Sequence, residues 1–219
     1  MQESTSREKV LKKVRKALIH KSTIDFIDVD NDSEIYPTSK DPLEIIFAQK
    51  FTALNGKFIF CENEQEFIQN LSSLVSENEW SNLFCFDKTL ISSLNKAKIV
   101  FSDDIKNINS VDIGITLCES LIARTGSVVM TSKQTSGRRL PLYSNIHIVV
   151  AYTSQLVYNI KDALKLITAK YAENIPSMIA NITGPSRTAD IEKTLVQGAH
   201  GPKEIFVFLI DDAKGSLVQ

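Results

Sequence analysis

From residue 58 onward, short apolar runs punctuate the chain, and most are near-continuous rather than alternating. They fall at Phe58–Cys61, Leu83–Phe86, Ile99–Phe101, Val111–Thr116, Val128–Thr131, Ile146–Tyr152, Met178–Ile182 and Ile205–Ile210. Runs of this kind predict strands buried on both faces. Helical spacing fills most of the gaps. Asp41-Pro42 opens a helix over 42–54, with Leu43, Ile46, Phe47 and Leu54 along one side. Asn63 and Glu66 stand at capping spacing ahead of a helix over 64–76. Further helices are predicted near 154–173 and over 188–196. Strand and helix in alternation predict βαβ units, hence an α/β fold: a three-layer α/β/α arrangement around a mostly parallel sheet.

Residues 1–40 read differently. Val10, Val14, Ala17 and Leu18 share one face of a helix otherwise covered by Lys12, Lys13, Arg15 and Lys16. Residues 22–40 are polar and acidic with a proline, as in a linker. The division expected is therefore an N-terminal helical arm and linker over 1–40, followed by one α/β domain over 41–219. The arm either docks on a partner or a second copy, giving a homo-oligomer, or packs on its own domain.

The bulk numbers remove several classes of function. A length of 219 residues suits one such domain with an arm. A net charge of −1 gives no electrostatic case for nucleic acid or an anionic membrane as the main partner. No apolar run approaches the ~18 residues of a membrane span, and the charged N-terminus lacks a signal core, so a cytoplasmic location is expected. Cys61, Cys85 and Cys118 are widely spaced with no CxxC pair. That spacing argues against a zinc site, an iron–sulfur cluster or a disulfide framework in this chain, and no cofactor or metal is expected here. Dinucleotide, Walker, nucleophile-elbow and HExxH motifs are all absent.

Glycine directs the search for chemistry. Six of the eight glycines lie between Gly114 and Gly201, so special backbone geometry is concentrated in the second half. Ligands of open α/β sheets bind beyond the carboxyl ends of the strands. Four constellations occupy that region. In Thr183-Gly184-Pro185-Ser186-Arg187-Thr188, a strand ends at a turn and a helix is expected to start near Thr188. Its free N–H groups would hold an anion, with Arg187 adding a bidentate contact. The alternative there is a well-capped turn, since Asp190 and Glu192 already complement the helix dipole. In Cys118–Ser127, Glu119 is a candidate general base or nucleophile, and Arg124, with Thr125-Gly126, a candidate carboxylate site. The alternative is a surface ion pair beside a turn. In Ser136–Tyr143, Arg138 and Arg139 make a compact positive spot beside Gly137, against the alternative of a solvated hairpin. In Gln197–Pro202, His200 sits in a tight turn, a candidate general acid/base against the plainer role of turn hydrogen-bonder. His147, inside an apolar strand, is expected to be structural.

Beyond these local features, the run Thr183-Gly-Pro-Ser-Arg-Thr-Ala-Asp-Ile-Glu192, followed by Gly198-Ala-His-Gly-Pro202 and an apolar terminal strand, resembles the signature of the lactate utilization protein C family, the LUD domain. Ala123-Arg-Thr-Gly-Ser-Val-Val129 and Ile146-His-Ile-Val-Val150 are similar to the family's preceding blocks. The resemblance runs from about 111 to 210 and is looser over 41–110. It implies a fold like that of ribose-phosphate isomerases and CoA transferases. It also implies a role in oxidising L-lactate to pyruvate beside two partners, a ferredoxin-like iron–sulfur protein and a cysteine-rich, heterodisulfide-reductase-like subunit. The chain departs from the family at Arg124, where many members carry glutamate, so the local charge is reversed. Two alternatives stand beside the lactate role: a small-molecule enzyme for phosphate or CoA ligands, and a non-catalytic interaction module.

Overall fold

The computed structural model describes residues 5–19, 39–191, 194–198 and 200–212. Its chain divides into two units, Met1–Lys40 and Asp41–Gln219. The first contains α1 (Ser6–Ile19), whose residues are all exposed, including Val10, Val14 and Leu18 of the expected apolar face. Thr5 and Glu8 cap it reciprocally, each side chain accepting from the other's backbone N–H. Residues 22–38 of the expected linker lie outside the described residues.

In the second unit the order is α2 (Leu43–Ala53), β1 (Lys57–Cys61), α3 (Glu64–Glu77), β2 (Leu83–Cys85), α4 (Lys88–Lys96), β3 (Ile113–Leu117), β4 (Ser120–Ile122) and β5 (Ser127–Thr131). There follow α5 (Leu140–Tyr143), β6 (Ile146–Tyr152), β7 (Leu156–Val157), α6 (Ile160–Lys170), β8 (Ile179–Ile182), β9 (Arg187–Ile191), β10 (Thr194–Gln197) and β11 (Glu204–Ile210). Five apolar runs pair in parallel in the order β1-β11-β6-β3-β2, which is the expected α/β sheet. No helix among the described residues is long and apolar enough to cross a membrane.

Strand periodicity divides the central side chains between two faces. On one face Ile148, Val150, Phe206 and Phe208 pack against Phe67 and Leu71 of α3 and Leu90 and Leu94 of α4. Phe208 meets Phe67 edge to face with ring centroids 5.4 Å apart. On the other face Val149, Ala151, Val207 and Leu209 meet Phe47 and Phe51 of α2 and Leu121, Val128 and Met130 of a second sheet. That sheet has the order β7-β4-β5-β8 and is mixed, with only the β4–β7 pairing parallel. Ala163 and Ile167 of α6 cover its outer side.

Three expectations give way. Ile99–Phe101 forms no strand: Lys98 adopts a positive φ and Val100 is 87% exposed, leaving a single bridge from Ser102 to Phe84. The stretch from 154 is not one helix; a 3-10 turn and β7 precede α6, whose capping residue Asn159 donates its backbone N–H to Asp162 Oδ2 at 3.2 Å. The helix expected over 188–196 is the hairpin β9–β10, with Glu192 and Lys193 outside the described residues. Its sequence, RTADIEKTLVQ, carries helix formers and strand formers together, and backbone pairing decides between them.

Candidate functional site

Because no helix begins near Thr188, the Thr183–Ser186 turn has no helical N-terminus to offer an anion. What it has instead is a connection to the other glycine-rich turns. Ser186 N–H donates to Pro202 O at 2.9 Å, and Gly198 N–H donates to Ser186 O at 3.0 Å. The two turns are thus bound into one unit at the N-terminal end of β11.

The unit forms one side of a cavity of about 180 Å³. Ser186 and His200 lie at it, and Arg138 reaches it from the Ser136–Tyr143 segment. Three of the four candidate constellations therefore converge, supplying Arg138, Gly184, Ser186 and His200. The remaining wall is apolar: Met130 of β5, Pro141 and Leu142 of α5, Met178, and Ala180 and Ile182 of β8. No carboxylate is found among the described residues that line it. Arg138 is exposed and makes one hydrogen bond among the described residues, to Ser177 Oγ at 2.5 Å. Most of the guanidinium's five donors remain for a ligand. His200 is exposed and Ser186 half-buried. Arg139 does not line the cavity; its carbonyl starts α5 by accepting from Leu142 and Tyr143.

The other expected residues have structural partners. Arg187 donates to Leu54 O at the end of α2, where a cation also complements the helix dipole. Thr188 pairs with Val196 in the hairpin. Arg124 donates from Nε to Asn159 Oδ1 at 2.5 Å, next to the start of α6. Thr125, Ser127 and Thr183 form a chain of hydroxyls with spacings of 2.7 and 2.9 Å, tying the Arg124 segment to the Thr183 turn. Gly126 and Gly184 have φ of +61° and +80° and lie against the last turn of α2. A Cβ on Gly126 would stand 2.5 Å from Phe51 N, and one on Gly184 2.9 Å from Leu54 O. Pro185 is buried beside them.

Glu119 is not among the residues at the cavity. Its side chain is 4% exposed and accepts from Thr131 Oγ1 at 2.9 Å, Tyr171 OH at 2.8 Å and Lys170 Nζ at 2.8 Å. Burial alone would raise its pKa, but the bonds from Lys170, Tyr171 and Thr131 outweigh that and hold the carboxyl below its ordinary value. A general base at neutral pH needs the opposite shift. The same contact raises the pKa of Lys170. His147 is fully buried on β6, with Nε2 2.8 Å from Thr116 Oγ1 and no partner for Nδ1 among the described residues; burial pushes it down to about 4. The three cysteines are buried and free, and burial raises all three thiols, Cys85 to about 12. Thiolate chemistry at neutral pH is disfavoured. No group of three or more metal-ligating side chains occurs among the described residues.

Comparison with known proteins places this geometry in a family. The family model of the LUD domain matches residues 46–210. The chain belongs to the LUD domain family. Lactate utilization protein C 1 of Bacillus mycoides is 36% identical over 112 residues, covering 50% of this chain and 48% of that protein. Lactate utilization protein C of Bacillus subtilis is 36% identical over 112 residues, covering 50% and 47%. In these alignments the chain spans about half the length of each curated relative. A crystal structure of a DUF162 family protein from Deinococcus radiodurans shares the fold, with a TM-score of 0.56 at 16% identity over 80% of this chain and 99% of that one. The matched LUD segment contains Arg138, Gly184, Ser186 and His200, and with them the whole described lining of the cavity.

The apolar wall escapes a reading based on motifs. Met130 and Met178 look like ordinary strand residues until β5 and β8 are paired, and the pairing sets Met130 opposite Ala180. Lys170 and Tyr171, some fifty residues from Glu119, carry no local signal that they are its partners.

Proposed function

We propose that this LUD domain protein serves lactate utilization as a subunit of a cytoplasmic system that oxidises L-lactate to pyruvate. The observation that carries the reading is its kinship, at about 36% identity, with proteins named lactate utilization protein C. In this reading the electrons pass through iron–sulfur clusters in two partners, one ferredoxin-like and one cysteine-rich and heterodisulfide-reductase-like. The chain's own scattered, buried thiols are poor candidates for holding such clusters. Its contribution is then the cavity ringed by Arg138, Ser186 and His200, which suits binding an organic anion. The cavity is the specific observation in favour of a second reading, a self-contained small-molecule enzyme.

Deletion of the gene tests the proposal. Growth on L-lactate should slow while growth on glucose does not, and the tagged protein from lactate-grown cells should capture an iron–sulfur partner. Normal growth on L-lactate in a strain without a second LUD gene overturns the lactate role. Normal capture of nothing, with lactate growth impaired, shifts the case to the self-contained enzyme.

A further inference from the structure

Lactate is a small guest for this cavity. Its one methyl group would touch only part of a wall built from Met130, Pro141, Leu142, Met178, Ala180 and Ile182. A cavity of about 180 Å³ compares with the ~150 Å³ apolar cavity that holds a benzene ring. Ligand sites combine such a wall with a few polar groups that fix orientation. Here those groups share one character. Arg138 has spare donors, His200 and the Ser186 hydroxyl make no side-chain hydrogen bond among the described residues, and no lining carboxylate opposes an anion. Two methionines in the wall give it a surface that adapts to a ligand's shape.

We infer that the cavity binds a monocarboxylate with an apolar body larger than that of lactate, a branched aliphatic or aryl acid of roughly ring size. The carboxylate lies against Arg138 and His200, and the apolar body is buried between Met130, Met178 and Leu142. A guanidinium suits the head group because it meets a carboxylate through two parallel hydrogen bonds. This goes beyond the assignment to lactate use, since it names what the cavity holds whether as substrate or as effector.

The chain has only three methionines, and two of them line the cavity, so methyl NMR reads the site directly. The full-length protein, labelled with 13C-methyl methionine, is titrated with 4-methylpentanoate, phenylacetate, L-lactate, pyruvate and the uncharged 4-methylpentanamide. The expected result is saturable shifts at Met130 and Met178, with both larger acids binding at least tenfold more tightly than lactate, pyruvate or the amide. Arg138→Gln should weaken 4-methylpentanoate at least tenfold, and Arg139→Gln should not. Ala180→Leu, which fills the cavity from β8, should abolish the shifts. Lactate or the amide binding as tightly as the larger acids overturns the proposal, as does an absence of shifts for every acid. Ala180→Leu also decides should Arg138→Gln fail to fold. Neither failure touches the growth test, which reads lactate use and not the cavity.

Discussion

Around Glu119, three donors from β5 and α6's end converge on one buried carboxylate. Around Arg138, an exposed guanidinium makes a single described hydrogen bond at the mouth of an apolar cavity. By residue type both are candidates for function. The difference is in how much bonding capacity is left. A buried polar group must be satisfied or it costs stability, and once satisfied by its own chain it has little left for a substrate. A cation with unspent donors beside a cavity is in the opposite position. The Glu119 cluster thus ties the second sheet to α6, and the cavity beside Arg138 is where hydrogen-bonding capacity is left over.

The same contrast separates the glycines, and here the largest effect is expected. Gly126→Ala would set a Cβ 2.5 Å from the backbone N of Phe51, at a φ of +61°. Backbone cannot swing aside as a side chain can, so the loss should be about 3 kcal/mol or more. Gly137 also has a positive φ, 57°, but nothing lies within 4 Å of its Cβ position. Gly137→Ala should cost only about 1 kcal/mol. Urea denaturation of the two variants measures the gap; equal losses would show that α2 yields to the Cβ.

Glu119→Ala comes next. It strands the buried Thr131 hydroxyl and the Tyr171 phenol, so a loss of about 2 kcal/mol is expected. Arg138→Ala, which removes one bond to an exposed serine that keeps Ser132 as a partner, should cost about 0.5 kcal/mol or less. Complementation of a deletion strain on L-lactate completes the comparison. Glu119→Ala with unchanged stability and abolished growth would make Glu119 a chemical residue after all and reverse the reading of both sites.

How much of this could be read from the sequence depended on the range of the interaction. The parallel sheet is legible because its central strands carry their own burial: Ile146–Tyr152 and Ile205–Ile210 are apolar on both faces and need no partner to be recognised. β4, three residues long, lacks such a run and reads as loop. The 188–196 segment reads as helix because helix and strand propensities there are nearly balanced, and only the pairing of Arg187 with Gln197 settles it. Arg138, Gly184, Ser186 and His200 are legible one at a time as motif residues. Their meeting is not, because hydrogen bonds such as Ser186 to Pro202 and Gly198 to Ser186 close loops that no local pattern encodes.

His147 sharpens the contrast through pH. Its folded-state pKa is depressed to about 4 by burial, whereas an ordinary histidine titrates near 6.5. Between those values the unfolded chain takes up a proton that the folded protein refuses, so stability falls as the pH drops. The folding equilibrium should weaken by up to about tenfold for one pH unit inside that window. His147→Gln, which keeps a partner for Thr116, should flatten the slope in urea midpoints measured from pH 7 to 5. A slope that survives unchanged in His147→Gln would show that another group carries it.

The smallest effect tests the Glu119 cluster from its exposed side. The Lys170 side chain is 61% exposed although its partner is buried, so solvent screens the ion pair. Lys170→Met removes the ammonium that bonds Glu119 and lies 5.2 Å from the Tyr171 ring centroid, and should cost under about 1 kcal/mol at neutral pH. The cost should depend on pH in one direction. Glu119 has a depressed folded pKa, so its stabilisation is present above the unfolded carboxyl value and lost as pH falls through the folded one. Without Lys170 that depression shrinks, and acid unfolding should begin at a higher pH. In Glu119→Ala the Lys170→Met substitution should have no further effect on the acid limb. An additive effect in the double variant would show that Lys170 acts elsewhere, and the carboxylate would then be held by Thr131 and Tyr171 alone.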